Sequence, residues 1–191
     1  MLKLTGGEFK GRNIECPPGK DIRPTSSKTR QGIFNTLFSM GFEPQGSVVL
    51  ELFAGTGLMS FEAISRGGKS AVLVDDGKSS LDVISRNADK LMITDRIRVV
   101  RSDAMSFIER SDLSSYDLVY LDPPYKYTKY GELLSKMMLK VQPHTIVIAE
   151  SGRDITDDIE GPVDVLKTKN GARARLSFLG KNELGSEAHD K

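Results

Sequence analysis

Two hydrophobic periodicities divide the chain. In the first, Ile33, Phe34, Leu37 and Phe38 recur at three- and four-residue spacing, which predicts an amphipathic helix capped by Ser26 or Ser27, running to about Met40 and stopped by Gly41. From Val48 onward short apolar runs alternate with helix-period segments. Positions 48–53 are nearly continuous in apolar residues, as expected of a strand covered on both faces. A helix over 58–66, with Phe61, Ala63 and Ile64 inward, ends at Gly67-Gly68. The run 71–74 closes on Asp75, and a helix capped by Ser79 or Ser80 carries Leu81, Ile84, Ala88 and Leu91 on one stripe. Further strands are predicted at 97–100, 116–121 and 145–149, with helices ending near Arg110 and spanning about 130–141.

Repeated strand–helix units of this size imply an α/β fold: a parallel sheet with right-handed crossovers and helices on both faces. The end of the chain differs. Runs 163–167 and 174–179 flank Thr168-Lys169-Asn170-Gly171, and Asn-Gly signals a hairpin, so one antiparallel strand is expected at the sheet edge. Three regions follow: a basic extension and helix over 1–46, the α/β domain over 47–180, and a polar tail over 181–191.

Composition narrows the class. The net charge of +1 announces no overall field for nucleic acid or membrane. Locally, the first thirty residues hold seven basic against three acidic side chains, a basic surface that can act on its own. The single cysteine, Cys16, excludes an internal disulfide and fits a reducing compartment. No stretch approaches the roughly 18 apolar residues of a membrane span, and the N-terminus lacks a signal peptide's apolar core, so a soluble, cytoplasmic, monomeric protein is expected. His144 and His189 stand far apart with no Cys partner, so no metal site is expected.

Candidate chemistry gathers at predicted strand ends, where a doubly wound sheet binds its ligands. Ala54-Gly55-Thr56-Gly57 follows the first strand, and Gly55 and Gly57 are expected to let a ligand approach the backbone. Asp75, eighteen residues past Gly57, is spaced to accept from ribose hydroxyls. That pattern also describes nicotinamide dinucleotide proteins. Ser60 stands where their third glycine would be, and Glu51 adds a negative charge that a dinucleotide would oppose and a cationic sulfonium would tolerate. Asp103, or an amide near it, can read an adenine edge. S-adenosylmethionine therefore fits better. After the fourth run come Asp122-Pro123-Pro124-Tyr125: a carboxylate, a stiffened turn and an aromatic ring.

This tetrad resembles the Asp/Asn-Pro-Pro-Tyr/Phe motif of methyltransferases that modify exocyclic amines of bases. Together with Gly6-Gly7-Glu8-Phe9-Lys10-Gly11-Arg12, Ile22-Arg23-Pro24-Thr25, Arg30 with Ile33-Phe34-Asn35, Leu52-Phe53-Ala54-Gly55-Thr56-Gly57 and Glu62-Ala63-Ile64-Ser65-Arg66-Gly67, the chain is similar to the bacterial 16S rRNA (guanine-N2)-methyltransferases. It departs from their pattern at Glu51, Ser60 and Gly77. The resemblance implies a Rossmann-like, S-adenosylmethionine-dependent fold with a seven-stranded, mostly parallel sheet and a small N-terminal extension. Asp122, Pro123, Pro124 and Tyr125 would be catalytic. Glu51, Phe53, Gly55, Gly57, Asp75 and Asp103 would hold the cofactor. Arg12, Arg23, Thr25 and Arg30 would meet 16S rRNA, in the small subunit or an assembly intermediate; the arginines could instead shape the pocket edge, and Arg30 could equally form a surface ion pair. Lys167, Lys169, Arg173 and Arg175 could extend that basic surface or be solvated, Tyr127 and Tyr130 could line the base pocket or pack, and Glu62 is expected on a helix surface. Competing readings are an adenine-N6 methyltransferase, a non-catalytic ribosome-assembly RNA-binding protein and a nicotinamide-dependent oxidoreductase.

Overall fold

The structure, a computed structural model, describes residues 2–17, 25–171 and 174–182. Its strands are β1 (Leu2–Lys3), β2 (Asn13–Ile14), β3 (Val48–Leu52), β4 (Ser70–Asp75), β5 (Ile97–Arg101), β6 (Leu118–Leu121), β7 (Ile146–Ser151), β8 (Val163–Asn170) and β9 (Arg175–Lys181). The α-helices are α1 (Ser27–Ser39), α2 (Leu58–Ser65), α3 (Lys78–Leu91), α4 (Ala104–Arg110) and α5 (Tyr130–Lys140). Seven strands form one sheet in the order β5-β4-β3-β6-β7-β9-β8, and β1 and β2 pair separately. β3 through β7 are parallel, and the chain reverses its direction of travel across the sheet between β3 and β6. That reversal opens a crevice above their carboxyl ends.

Three local expectations are corrected. The antiparallel strand is β9, and it lies inside the sheet between β7 and β8 rather than at the edge. Leu176, Phe178 and Leu179 are buried, whereas β8 is mostly exposed, so the more apolar strand takes the covered place. Asn170 stays in the ladder opposite Arg175, and Gly171 N–H donates to the Ala174 carbonyl at 2.7 Å. α3 begins at Gly77, not at Ser79 or Ser80, and Ser80 is buried within its first turn. Ser26 does cap α1, its Oγ accepting from Thr29 N at 3.1 Å.

The 1–46 segment shares the body's core. Leu4, Ile14, Ile33, Phe34 and Leu37 pack in one cluster with Phe61, Ala63, Ile148 and Phe178. Every residue of α2 is buried because the N-terminal segment covers its outer face. Glu62, expected on a helix surface, is therefore wholly buried. It accepts from Thr5 N at 2.9 Å, Thr5 Oγ1 at 2.6 Å and Arg66 Nη2 at 3.0 Å, and it faces Arg30 Nε at 3.7 Å. Arg30 is 0% exposed and spends its guanidinium inward, donating to Lys3 O at 2.6 Å and Thr25 O at 2.5 Å. A phosphate contact by Arg30 is excluded. Local periodicity could not show this, because the covering segment lies about thirty to sixty positions away. Among the described residues no helix is long and apolar enough to cross a membrane.

Removing one partner of a buried ion pair strands the other charge, at a cost of about 3–5 kcal/mol. Glu62→Ala is therefore expected to lower unfolding free energy by that order in a urea titration; a loss below about 1 kcal/mol would remove the pair as the anchor of the N-terminal segment.

Candidate active site

The crevice is a cleft of about 1280 Å³ above β3, β4, β6 and β7. That exceeds the roughly 300–1,000 Å³ of a pocket for one small ligand. Among the described residues six carboxylates line it, Glu51, Asp75, Asp76, Asp103, Asp122 and Glu150, against two cations, Lys126 and Arg153.

One half is built on the glycine loop. Phe53 turns the chain out of β3 with φ 57°, a left-handed conformation that costs a bulky residue about 1–3 kcal/mol. Its ring meets Tyr127 edge-on, centroids 5.0 Å apart. Gly55, at φ 53°, has only the Phe53 carbonyl oxygen, at 3.9 Å, within 4 Å of a would-be Cβ, so it leaves the floor open. Gly57 works differently from the expectation. A Cβ there would lie 2.5 Å from Leu73 Cδ2 and 3.0 Å from Phe61, so this glycine lets α2 pack on β4 and does not line the cleft. Asp75 accepts from Gly55 N and Gly77 N, each at 2.8 Å, one per carboxylate oxygen. The carboxylate is thereby fixed facing the cleft, each oxygen keeping a second lone pair. Asp103 caps α4 by accepting from Ser106 N at 2.9 Å, and the Ser106 hydroxyl, followed by that amide, holds its pKa below the usual range.

Glu51 is buried across the start of α2, accepting from Ser60 N at 2.7 Å and Met59 N at 3.4 Å. Burial drives its pKa up to about 7, against the lowering by those bonds and with Asp75 adding to the rise. The helix N-terminus that would receive a pyrophosphate is already taken by a carboxylate. The donor set thus suits an uncharged nucleoside carrying a cationic group, and it opposes a dinucleotide.

The other half is the tetrad. Asp122 opens onto the cleft, yet enough protein surrounds it that desolvation, followed by the Glu150 and Glu51 charges, raises its pKa from 3.8 to about 7. Tyr125 is 80% exposed, its ring against Gly152, where a Cβ would come within 3.2 Å of Cε1. Tyr127 N donates to Pro124 O at 2.8 Å, closing the turn. Tyr130 is buried, its hydroxyl 3.4 Å from Leu121 O.

Sequence reasoning missed a pair beside the tetrad. Tyr120 Oη donates to Glu150 Oε2 at 2.6 Å and lies 3.3 Å from Thr25 Oγ1. Burial, then the Glu150 charge, raises the Tyr120 pKa well above its usual value, so the phenol stays a donor. Glu150 ends an apolar run just as Asp122 does, and that position was the available signal.

The expected RNA contacts scatter. Thr25 lines the cleft. Arg12 donates to Lys90 O in the last turn of α3, one helix length of about 20 Å from the cleft end of that helix. Arg23 and Arg173 lie outside the described residues. Arg175 pairs with Asp154 at 2.6 Å, and Lys169 Nζ is 3.4 Å from Gly32 O.

The family model described as Conserved hypothetical protein 95 matches residues 2–179. A Bacillus subtilis (strain 168) protein provisionally named as an rRNA methyltransferase, YlbH, is 29% identical over 158 residues, covering 81% of this chain and 84% of its own. Ribosomal RNA small subunit methyltransferase D of Escherichia coli (strain K12) is 30% identical over 126 residues, 66% of this chain and 61% of its own length, so the match spans less than two thirds of that protein. A solved Escherichia coli chain described as a methyltransferase, yhhF, superposes with TM-score 0.81 at 23% identity, over 95% of this chain and 98% of that one, and shares its fold.

Because the folded protein holds the Asp122 proton up to about 7 and the unfolded chain near 3.8, this group lowers stability as pH rises from about 4 to 7. Asp122→Asn is expected to melt above the wild type at pH 8, with the difference vanishing below pH 4. Equal melting at pH 8 would show an unperturbed carboxyl.

Proposed function

The chain belongs to the Conserved hypothetical protein 95 family, and we propose that it methylates the exocyclic N2 amine of a guanine in 16S rRNA, with S-adenosylmethionine as donor. The observation that carries this reading is the carboxylate-lined cleft, in which Glu51 blocks a phosphate site while Asp75 and Asp122 face one space. The names of the relatives, rRNA methyltransferases, support the RNA as acceptor.

S-adenosylmethionine, when bound, supplies a methyl group made electrophilic by its sulfonium charge. Asp75, pinned by two backbone amides, accepts from the ribose hydroxyls. The open floor at Gly55 admits the donor, and the surrounding acids favour its cationic end. On the acceptor side, a guanine amine is a poor nucleophile because its lone pair is delocalised into the ring. The Asp122 carboxylate and the Pro123 carbonyl accept its two N–H groups, which favours a pyramidal nitrogen and aims the lone pair. Tyr125, exposed and braced by Gly152, stacks on the base, a contact worth about 1–3 kcal/mol. With its pKa near 7, Asp122 can also take the proton the nitrogen loses. Most of the rate enhancement is then positioning and electrostatics.

The target base must leave its stack to reach this depth. Lys126 and Arg153 stand on the tetrad side of the cleft, where RNA phosphates would pass. The N-terminal cations Arg12 and Arg23 remain candidates for contacts farther along the RNA. An acceptor already folded into a small ribosomal subunit or an assembly intermediate suits a chain of this size, because fixed RNA shape then supplies recognition.

Mass mapping of nucleosides tests the reading. Small subunits from a strain lacking the enzyme, incubated with protein and S-adenosylmethionine, are expected to gain N2-methylguanosine at one position; N6-methyladenosine instead, or no methylation, refutes it. Asp122→Ala is expected to lower turnover about 100-fold or more while calorimetry shows retained donor binding. Asp75→Ala is expected to weaken donor binding itself. Full activity in both variants would dismiss the site assignment.

A further inference from the structure

The proposed transfer uses Asp122 and leaves Glu150 without a task, although the fold sets the two side by side. Leu121 pairs with Ala149 in the parallel ladder of β6 and β7, so Asp122 and Glu150 are the next residues of adjacent strands, which lie about 5 Å apart. Glu150 projects to the face that carries Tyr120 and Ile148, since Ala149 belongs to the opposite core cluster, and Asp122, the first residue past β6, lies near enough for the Glu150 charge to act on it. Glu150 is held in place. Tyr120 Oη donates to its Oε2 at 2.6 Å, and Thr25 Oγ1 is 3.3 Å from the same phenol. No described residue hydrogen-bonds its Oε1, and the side chain lines the cleft. Two carboxylates side by side repel, and the Glu150 charge adds to the burial that raises the pKa of Asp122, so the arrangement suits hydrogen-bond donors brought by a ligand.

Given the guanine-N2 reading on which this step rests, we infer that Glu150 is the residue that selects guanine, accepting the N1–H of the base while Asp122 accepts from its N2 amine. Guanine offers adjacent donors at N1 and N2, which two neighbouring carboxylates match. Adenine, or any purine lacking N1–H, turns a lone pair toward Glu150, and acceptor then faces acceptor. A partly buried charge-assisted hydrogen bond of this kind discriminates by about tenfold or more. Tyr120 is a positioning residue, fixing the rotamer of Glu150, and Thr25 steadies the phenol from the N-terminal segment.

The test compares guanine with 2-aminopurine, which keeps the N2 amine but has no N1–H, placed at the methylated position of rRNA assembled into subunits. The wild-type protein is expected to favour guanine in kcat/KM by about tenfold or more. In Glu150→Gln, whose amide can accept or donate, that ratio is expected to fall toward one with S-adenosylmethionine affinity unchanged. Tyr120→Phe is expected to lower the ratio in the same direction. A guanine preference unchanged in Glu150→Gln would overturn the assignment while leaving the N2 reading intact. Failure of the wild-type protein to methylate guanine would overturn both.

Discussion

A carboxylate enclosed at the middle of α2 is the constraint on which the rest of the molecule depends. Glu62 cannot remain charged in the interior unless donors surround it. Those donors come from Thr5 and Arg66, and the Arg30 guanidinium adds its charge at 3.7 Å. Satisfying Glu62 therefore folds residues 2–17 and the start of α1 onto the α/β body. The same guanidinium then grips the Thr25 carbonyl, and Thr25 reaches the phenol of Tyr120, which holds Glu150. A continuous line of polar contacts runs from the core of α2 to the rim of the cleft. The N-terminal segment thereby becomes one wall of the site.

The cleft itself works against stability. Parallel register brings the carboxyl ends of β3, β4, β6 and β7 together, and each end delivers an acid: Glu51, Asp75, Asp122 and Glu150. Glu51 is partly repaid by the amides of α2 and Asp75 by those of Gly55 and Gly77. Asp122 has no such relief and its pKa rises to about 7, which leaves it able to exchange a proton near neutrality. The left-handed Phe53 adds backbone strain at the same place. Strain and like charge concentrated in one cleft are what a site for a cationic donor and a hydrogen-bond-donating base edge would require.

Much of this was legible in the sequence, for a physical reason. Strands covered on both faces read as continuous apolar runs, so the order of elements from Val48 onward, the glycine loop and the acids at strand ends could be placed by local pattern alone. Contacts set by distant chain could not. Arg30 looked like an RNA-facing cation and Glu62 like a surface acid, because nothing in a helical window reveals that another segment will lie over it. Gly57 carried the right identity and the wrong reason: its missing side chain makes room for Leu73, not for a ligand. Glu150 went unread because its partner Tyr120 sits thirty residues earlier, on the neighbouring strand. The position of β9 between β7 and β8 likewise depends on comparing the burial of two strands, which no turn motif encodes.

The most direct measurement of the central claim is a crystal structure of the protein with S-adenosylhomocysteine. The account predicts ribose hydroxyls on the Asp75 carboxylate, the adenosyl group over Gly55, and the sulfur directed toward the space in front of Asp122. A ligand seated elsewhere, or turned so that its sulfur points away from Asp122, would contradict it.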